Sequence, residues 1–223
     1  MLFKKFNGGL FVFPAAPALA NIDTNYNYYK ALKHADYALF DSAFFRLLLF
    51  LFYNIKATKF SGLTFIVYFI NFLKNNRSLK IFFVEASKKQ AIKNKIYLKK
   101  NKIYNFKQYI APQYLTNDIT DKELVKQINL YKPDFVILNL GGLTQEVLGS
   151  YLKYNLHNKT NILCLGAALA FRSGNQGYIP LIVDKINLAW LFRCIYNPKT
   201  FIVRYLSAFK LFFIIWSYWK KNK

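Results

Sequence analysis

Short apolar runs alternate with longer amphipathic stretches along most of the chain. The apolar runs predict strands at residues 10–13, 37–40, 80–84, 104–109, 135–140 and 162–165. The amphipathic stretches predict helices at residues 25–35, 44–55, 65–73, 87–98, 121–130 and 145–156. Strands and helices that alternate in this way favour an α/β fold with a Rossmann-like, mostly parallel sheet flanked by helices.

The first apolar run has two interpretations. Lysines at residues 4–5, the apolar run and the Ala-Leu-Ala at residues 18–20 resemble a secretory signal. Pro14, Pro17 and the glycines at residues 8–9 instead favour a first core strand that ends in a proline-rich turn. No segment convincingly predicts a bilayer span, because the longest charge-free stretch, residues 6–22, is shorter than the roughly 20 residues needed and contains both prolines.

The C-terminal region differs in kind from the rest. An aromatic stripe recurs at spacings of four and three, at Tyr205, Phe209, Phe212, Trp216 and Trp219. The stripe is typical either of a helix at a membrane interface or of a helix packed on the core. The two tryptophans, the basic end at residues 220–223 and the lack of acids after Asp184 favour the membrane.

We therefore predict a domain at residues 1–187 and a membrane-associating appendage at residues 188–223. Removal of residues 205–223 should release the protein from anionic liposomes and leave the domain folded. If the stripe belongs to a core helix, the same truncation should unfold the domain instead.

The net charge limits the classes of molecule that the protein is expected to bind. Lys and Arg total 32 against 10 Asp and Glu, a net charge of +22, while 54% of residues are hydrophobic. Disorder is excluded, and anions such as nucleic acid, nucleotide-sugar phosphates or anionic lipid are the expected partners. Residues 88–107 carry eight lysines. This run could bind RNA or lipid or form a solvated face, and we do not expect nucleic acid to be the main partner.

Few residues are candidates for catalysis. Asp41 follows a predicted strand directly, so its carboxylate should project into the crevice at the carboxyl edge of the sheet. Asp36 and Glu146 are also of interest. Capping is the expected role of the remaining acids near loops or helix starts, namely Asp118, Asp121, Glu123, Asp134 and Asp184.

The remaining chemistry is sparse. Gly141 and Gly142 follow a buried strand and would let backbone approach a ligand closely. The cysteines suggest no disulfide framework or zinc site, and Cys164 should be buried. His34 and His157 should be surface or helix-end residues. With no Asp-x-Asp pair to hold a metal ion, transfer from a nucleotide sugar would need basic residues or backbone amides at the leaving diphosphate, so no cofactor is expected.

Several motifs carry a family resemblance. They are Lys-Pro-Asp at 132–134, Gly-Gly-Leu-Thr-Gln-Glu at 141–146, the glycine-bounded segment 166–174, Ile-Pro at 179–180, Leu-Ala-Trp-Leu-Phe-Arg at 188–193, Asn-Pro at 197–198 and Arg-Tyr at 204–205. Together they resemble the WecG/TagA/CpsF glycosyltransferases, glycosyltransferase family 26, over residues 10–210. Residues 35–42 look like that family's A-D-x-x-x-x-D-G segment, and residues 59–62 like its R-V-x-G turn. The resemblance also favours a strand at residues 10–13.

The resemblance implies an inverting, metal-independent transferase on the cytoplasmic face of the membrane. It would move a hexose or N-acetylhexosamine-type sugar from a UDP donor to a sugar on undecaprenyl diphosphate. The catalytic aspartate of the family falls on Asp41, its active-site glutamine on Gln145 and its phosphate-side arginine on Lys59. We further predict substrate binding by Ser42, Gly62, Gly141, Gly142, Thr144, Glu146, Gly166, Ala167, Arg193 and Arg204. A homo-oligomer stays open.

The chain also departs from the family pattern. The family's T-x-N falls near residues 13–16, where this chain has Phe-Pro-Ala-Ala, and only a shifted alignment lets residues 23–25 replace it. Ala170 stands for an aspartate, Ser42 for a glycine and Lys59 for an arginine. Two alternative functions follow, a catalytically inactive membrane scaffold and a cationic RNA-binding protein.

Overall fold

A single six-stranded parallel sheet organises the protein. The computed structural model describes residues 7–114 and 119–221. The strands are β1 Gly9–Val12, β2 Tyr37–Ala38, β3 Ile81–Glu85, β4 Phe106–Ile110, β5 Phe135–Asn139 and β6 Asn161–Cys164, in the order β2-β1-β6-β5-β3-β4. All five neighbouring pairs are parallel, which confirms the predicted Rossmann-like sheet.

Six helices lie within a few residues of the predicted bounds, and further helices occur at α1 and after β6. They are α1 Ala16–Leu19, α2 Tyr26–His34, α3 Ala43–Tyr53, α4 Gly62–Asn75, α5 Lys88–Lys100, α6 Lys122–Tyr131, α7 Thr144–Asn155, α8 Ala168–Ser173, α9 Leu181–Lys185, α10 Ala189–Tyr196, α11 Pro198–Ala208 and α12 Lys210–Lys221. Polar side chains at Ser42, Ser61, Ser87 and Asp121 cap α3, α4, α5 and α6 by accepting a backbone N–H.

The strands bury both faces of the sheet. Alternate residues point to opposite sides, so Phe83 and Ile137 join one core with helix α4, while Phe82 and Val136 join another with α6 and α7. Every residue of β3 and β5 is buried. Because all strands run the same way, their carboxyl ends meet at one edge of the sheet, where the candidate site lies.

The N-terminal run is a core strand, as one of the two interpretations predicted. β1 lies between β2 and β6 and is paired with both. The predicted proline-rich turn is wrong in part, because helix α1 begins two residues after Pro14 and carries Pro17 in its first turn. Prolines are tolerated there because the first N–H groups of a helix need no partner within it. Residues 4–5 of the signal-like pattern lie outside the described residues.

The C-terminal region packs on the domain and also exposes apolar surface. Ala208, Leu211 and Ile215 are buried against Leu19 of α1 and Leu48 of α3. Phe209, Phe212 and Trp216 of the predicted stripe are exposed, and Phe209 separates two helices where one was expected. The aromatic stripe is therefore mostly exposed, while other residues of the same segment pack on the domain, and contact of the stripe with a membrane stays a prediction. Asn222 and Lys223 lie outside the described residues.

One finding corrects the expectation that no segment is suited to a bilayer span. Taken together, α11 and α12 form a 24-residue helical segment, Pro198–Lys221, that is long and apolar enough to cross a membrane by length and composition. A search for long charge-free stretches does not detect this segment, because Arg204 and Lys210 interrupt its apolar sequence. Most of this segment is exposed.

Candidate functional site

A cavity of about 690 Å³ lies between the carboxyl ends of β1 and β2 and the C-terminal helices. Its polar side chains include Asp41, Ser42, Lys59, Asp184, Asn187 and Arg193. Its apolar walls come from α1, α3, α10 and α11, and include Phe44, Leu47, Trp190, Ile202, Leu206 and Phe209. The cavity thus joins a charged end to a largely apolar wall.

Asp41 occupies the charged end, as the sequence predicted. It follows β2 after two residues, and its Oδ1 accepts the backbone N–H of Gly62 at 3.2 Å, at the start of α4. Burial raises the pKa of Asp41; the nearby Asp184 carboxylate raises it further, while Arg193 and Lys59 act in the opposite direction. A carboxylate with a raised pKa is a stronger base than a surface aspartate, which suits a general base.

Lys59 and Asp184 form an ion pair beside Asp41. The Lys59 ammonium donates to Asp184 Oδ1 at 2.8 Å and to the Asp184 carbonyl. Ser61 and Thr64 hydroxyls donate to Asp184 Oδ2. Burial alone would raise the pKa of Asp184, but the bonds from Lys59 and Ser61 lower it overall.

This pair changes two sequence-based interpretations. Asp184 does not cap a helix as expected, because its carboxylate faces the cavity and binds Lys59. Lys59 in turn has its charge matched by that carboxylate, so a phosphate would have to compete with Asp184 for it. No sequence pattern indicates this contact, because the two residues lie 125 positions apart.

Arg193 is the cation in the cavity that carries no carboxylate partner among the described residues. Its guanidinium lies 4.8 Å from the Phe171 ring centre, and its Nη1 donates to the Tyr205 hydroxyl at 3.4 Å. Its Nε has no hydrogen-bond partner in the described part of the chain. Arg204, also predicted at the site, is exposed above Phe201 and does not line the cavity.

The paired glycines lie at the same sheet edge, outside the cavity lining. Gly142 approaches helix α1, where an added Cβ would lie 3.3 Å from Ala18 Cβ, and Gly141 meets nothing within 4 Å. The left-handed turn falls on Leu143 (φ 76°), and Thr144 begins α7. The backbone at Gly142 therefore closely approaches helix α1 of the same chain.

Gln145 connects the loops that follow β5 and β6. Its Oε1 accepts the Gly166 N–H at 2.8 Å, and its Nε2 donates to Glu146 Oε1 at 2.9 Å. Gly166 has a positive φ of 58°, and Ala167 directly before α8 follows it. Gln145 is buried and already bonded at both ends, so it orders the loops after β5 and β6 around the sheet edge.

Glu146 lies deeper. Burial raises its pKa to about 7, although hydrogen bonds from Gln145 and the backbone lower it in part. Its Oε2 has no hydrogen-bond partner among the described residues, and the same is true of the buried Tyr28 hydroxyl. Burial raises the pKa of Tyr28, and a charge on Glu146 raises it further.

A second buried carboxylate was missed in the sequence. Glu85, the last residue of β3, accepts hydrogen bonds from Asn94, Gln108 and Asn139 at 2.8, 3.1 and 3.1 Å. Burial raises its pKa, and the amide donors lower it in part. Only the placement of Glu85 opposite Asn139 in neighbouring strands reveals this network.

Other expectations fare as follows. Asp121 caps α6, Cys164 is buried and His34 ends α2, as predicted. Asp36 is structural, because it accepts the Leu10 N–H at 2.7 Å and binds Lys153. The expected capping role is wrong for Asp134, which precedes β5 and accepts the Lys80 N–H at 2.7 Å. Asn25 caps α2. Asp118 lies outside the described residues. Within residues 7–114 and 119–221, no three His, Cys, Asp or Glu side chains form a metal-binding group.

Part of the chain is similar in sequence to named proteins from Staphylococcus aureus. An N-acetylglucosaminyldiphosphoundecaprenol N-acetyl-beta-D-mannosaminyltransferase from Staphylococcus aureus strain NCTC 8325 / PS 47 is 29% identical over 82 residues, which cover 37% of this chain and 32% of the relative. The protein of that name from strain COL matches equally, and the one from strain MRSA252 is 28% identical over the same length. The match therefore spans about a third of these relatives.

The whole chain matches a single family description. Residues 2–223 match the glycosyl transferase WecG/TagA/CpsF family. This range includes the parallel sheet, the cavity and the C-terminal helices. The match agrees with the resemblance carried by the motifs at residues 132–146 and 166–205. The chain therefore belongs to the glycosyl transferase WecG/TagA/CpsF family.

Proposed function

We propose that the protein is an inverting, metal-independent glycosyltransferase that works at the cytoplasmic surface of the membrane. It transfers an N-acetylhexosamine-type sugar, with N-acetylmannosamine the first candidate, from UDP to N-acetylglucosamine on undecaprenyl diphosphate. The name of the S. aureus relatives supports this choice of sugar and acceptor. Because the shared stretch covers a third of those relatives, the substrates remain part of the proposal.

The observation that carries the proposal is the cavity itself. It places a carboxylate with a raised pKa, Asp41, at the charged end and near Arg193, which forms no salt bridge among the described residues. The opposite walls are apolar and lead to exposed side chains of α3 and α11. A site of this kind suits a substrate with a polar reacting head and an apolar chain.

The chemistry follows from these positions. Asp41 accepts the proton of the acceptor hydroxyl while that oxygen attacks the anomeric carbon and forms the new C–O bond. The bond from the anomeric carbon to the UDP oxygen breaks, and UDP leaves with the electron pair. Attack from the face opposite the leaving group inverts the anomeric centre.

Arg193 and backbone N–H groups at the edge of the sheet would stabilise the negative charge that develops on UDP. Arginine suits this role because its planar guanidinium can donate two parallel hydrogen bonds to a diphosphate. Lys59 would contribute after its ion pair with Asp184 loosens.

Transfer tests the proposal directly. The full chain is incubated with UDP-N-acetylmannosamine and a synthetic lipid carrying diphospho-N-acetylglucosamine, and the product is read by mass. A disaccharide lipid is the expected result. If no UDP-sugar of the hexosamine or hexose class yields product, and none raises the melting temperature, the transferase is ruled out.

The second candidate function is an inactive scaffold at the membrane surface. Ala15, Ala16 and Pro17 line the cavity where the family carries T-x-N, and Lys59 is bound to Asp184. Both observations remove polar groups that a donor would use. A scaffold should bind membranes with no response to UDP in a thermal-shift assay, whereas the transferase should be stabilised by UDP.

A further inference from the structure

Helix α3 presents an apolar side that the described residues leave uncovered. Phe50 and Leu51 are 45% and 63% exposed, and Leu47 is half exposed. The opposite side of the helix is packed, since Leu48 is buried with Leu211 and Ile215 of α12. An amphipathic helix normally buries its apolar side, so this second apolar side requires a partner.

The uncovered side of α3 continues onto the C-terminal helices. Phe44 packs against Phe209 with ring centres 5.6 Å apart, and Phe52 packs against Trp219 at 5.7 Å. The two segments therefore run side by side in the same direction. Leu47 and Phe209 line the same cavity, which places them on one side of the pair.

We propose that α3 and α11–α12 form one membrane-docking face, in which α3 inserts beside the C-terminal aromatic residues. We define the α3–α12 face by its exposed apolar side chains, Leu47, Phe50, Leu51, Phe209, Phe213 and Trp216. The proposal rests on the membrane-surface function proposed above. It adds α3 to the part of the molecule that contacts lipid.

Charge selects an anionic lipid surface as the partner. No acid occurs between Asp41 and Glu85 or after Asp184, so neither α3 nor the C-terminal helices carry a negative side chain. Exposed cations flank the face at Lys56, Lys199, Arg204, Lys210 and Lys220. A second copy of the chain would bring these cations against each other, whereas anionic headgroups would neutralise them.

The position of the cavity supports the same partner. Its apolar walls include Leu47 of α3 together with Leu206 and Phe209, and these residues are exposed at the face. A bilayer against the α3–α12 face therefore lies next to the apolar side of the cavity. An acceptor could enter with its chain in the lipid and its diphosphate toward Arg193.

Substitution of exposed α3 residues tests the proposal without removing packed ones. The double variant Phe50→Gln/Leu51→Gln changes two side chains that lie outside the cavity lining. The matched control is Ile92→Gln/Ile96→Gln on α5, where both isoleucines are 60% or more exposed on a lysine-rich helix. Both variants keep the net charge and the C-terminal helices unchanged.

Flotation is measured with vesicles of phosphatidylcholine and phosphatidylglycerol, and circular dichroism checks that each variant is folded. We expect the α3 variant to bind these vesicles about tenfold more weakly than the unchanged protein, because two apolar side chains no longer insert. The α5 control should bind like the unchanged protein. Binding should fall with salt and on phosphatidylcholine alone.

Two outcomes would count against α3 as a lipid contact. Equal binding by the α3 variant and the unchanged protein would overturn the proposal. A dimer that the α3 variant dissociates, with vesicle binding intact, would assign the face to a second copy. Flotation needs no turnover, so a bound but inactive protein would contradict the transferase and leave the docking face in place.

Discussion

Two polar regions at the carboxyl edge of the sheet differ in how their hydrogen bonds are used. After β3, β5 and β6, Glu85 and Gln145 are buried and bonded to neighbouring amides and backbone. After β2, Asp41 and Arg193 face an open cavity, and Arg193 Nε has no partner among the described residues. One region is closed because it is buried away from the cavity, although Glu146 Oε2 has no partner there among the described residues, whereas the other lines a cavity that a ligand can enter.

The difference shows that motif strength and chemical availability are separate properties. The segment Gly-Gly-Leu-Thr-Gln-Glu at 141–146 carries the strongest resemblance, yet its glutamine already donates and accepts within the protein. Asp41 is supported by a weaker motif and has the better geometry for chemistry. Four predictions test this contrast.

The largest effect should come from Asp41. Replacement by Asn keeps the size and removes the base, so the transfer rate should fall about 10²–10⁴-fold. Glu123→Gln is the control, because it makes the same chemical change on an exposed residue of α6. A loss of less than about threefold in kcat would remove Asp41 from the mechanism.

Arg193 should come next. Arg193→Met removes the unpaired cation from the cavity, and kcat should drop by about 10²-fold because charge on the leaving UDP is less stabilised. Arg204→Met deletes an equal charge from a residue outside the cavity lining and should cost far less. Steady-state kinetics with purified lipid acceptor compare the two, and equal losses would show that the cavity does not hold the diphosphate.

In the closed region, the effect should be on stability. The pKa of Glu146 is about 7 when folded, so between about pH 5 and pH 7 the folded state binds a proton that the unfolded state has lost. Unfolding free energy therefore falls as pH rises through this window. Glu146→Gln removes that contribution, and its stability relative to the unchanged protein should increase by about 2–3 kcal/mol between pH 5 and pH 8.

Urea unfolding at the two pH values measures this change. Glu123→Gln again serves as the control, because it makes the same substitution at an exposed position of α6. A Glu146→Gln protein with the same pH dependence as the unchanged protein would contradict the burial argument.

The smallest effect is a displaced pH profile. Asp41 must be ionised to accept a proton, so the rate falls as pH drops through its pKa. Asp184→Asn removes a negative neighbour and leaves Lys59 with an unmatched charge, and both changes lower the pKa of Asp41. The acid limb of kcat/KM against pH should move to lower pH. Lys59→Met should move it to higher pH, and displacement of both in one direction would refute the coupling.

The periodic pattern determined most of the fold. Strand β1, helix α2 and the later strands and helices lie close to their predicted bounds, because burial of each face is encoded locally at a period of two or 3.6 residues. The same sequence indicated the family, the cationic surface and Asp41 at the end of β2. Each of these depends on residues that are neighbours in sequence or on composition.

Contacts between distant residues were decided by the tertiary structure. Sequence order does not show that Asp184 binds Lys59, that Gln145 binds Gly166, or that Leu211 packs on Leu48. Each contact joins segments brought together only by the order of the strands and the packing of the helices. For that reason the sequence indicated Asp41 as the candidate base, whereas its charged neighbours and the apolar walls of the cavity followed from the packing of the C-terminal helices.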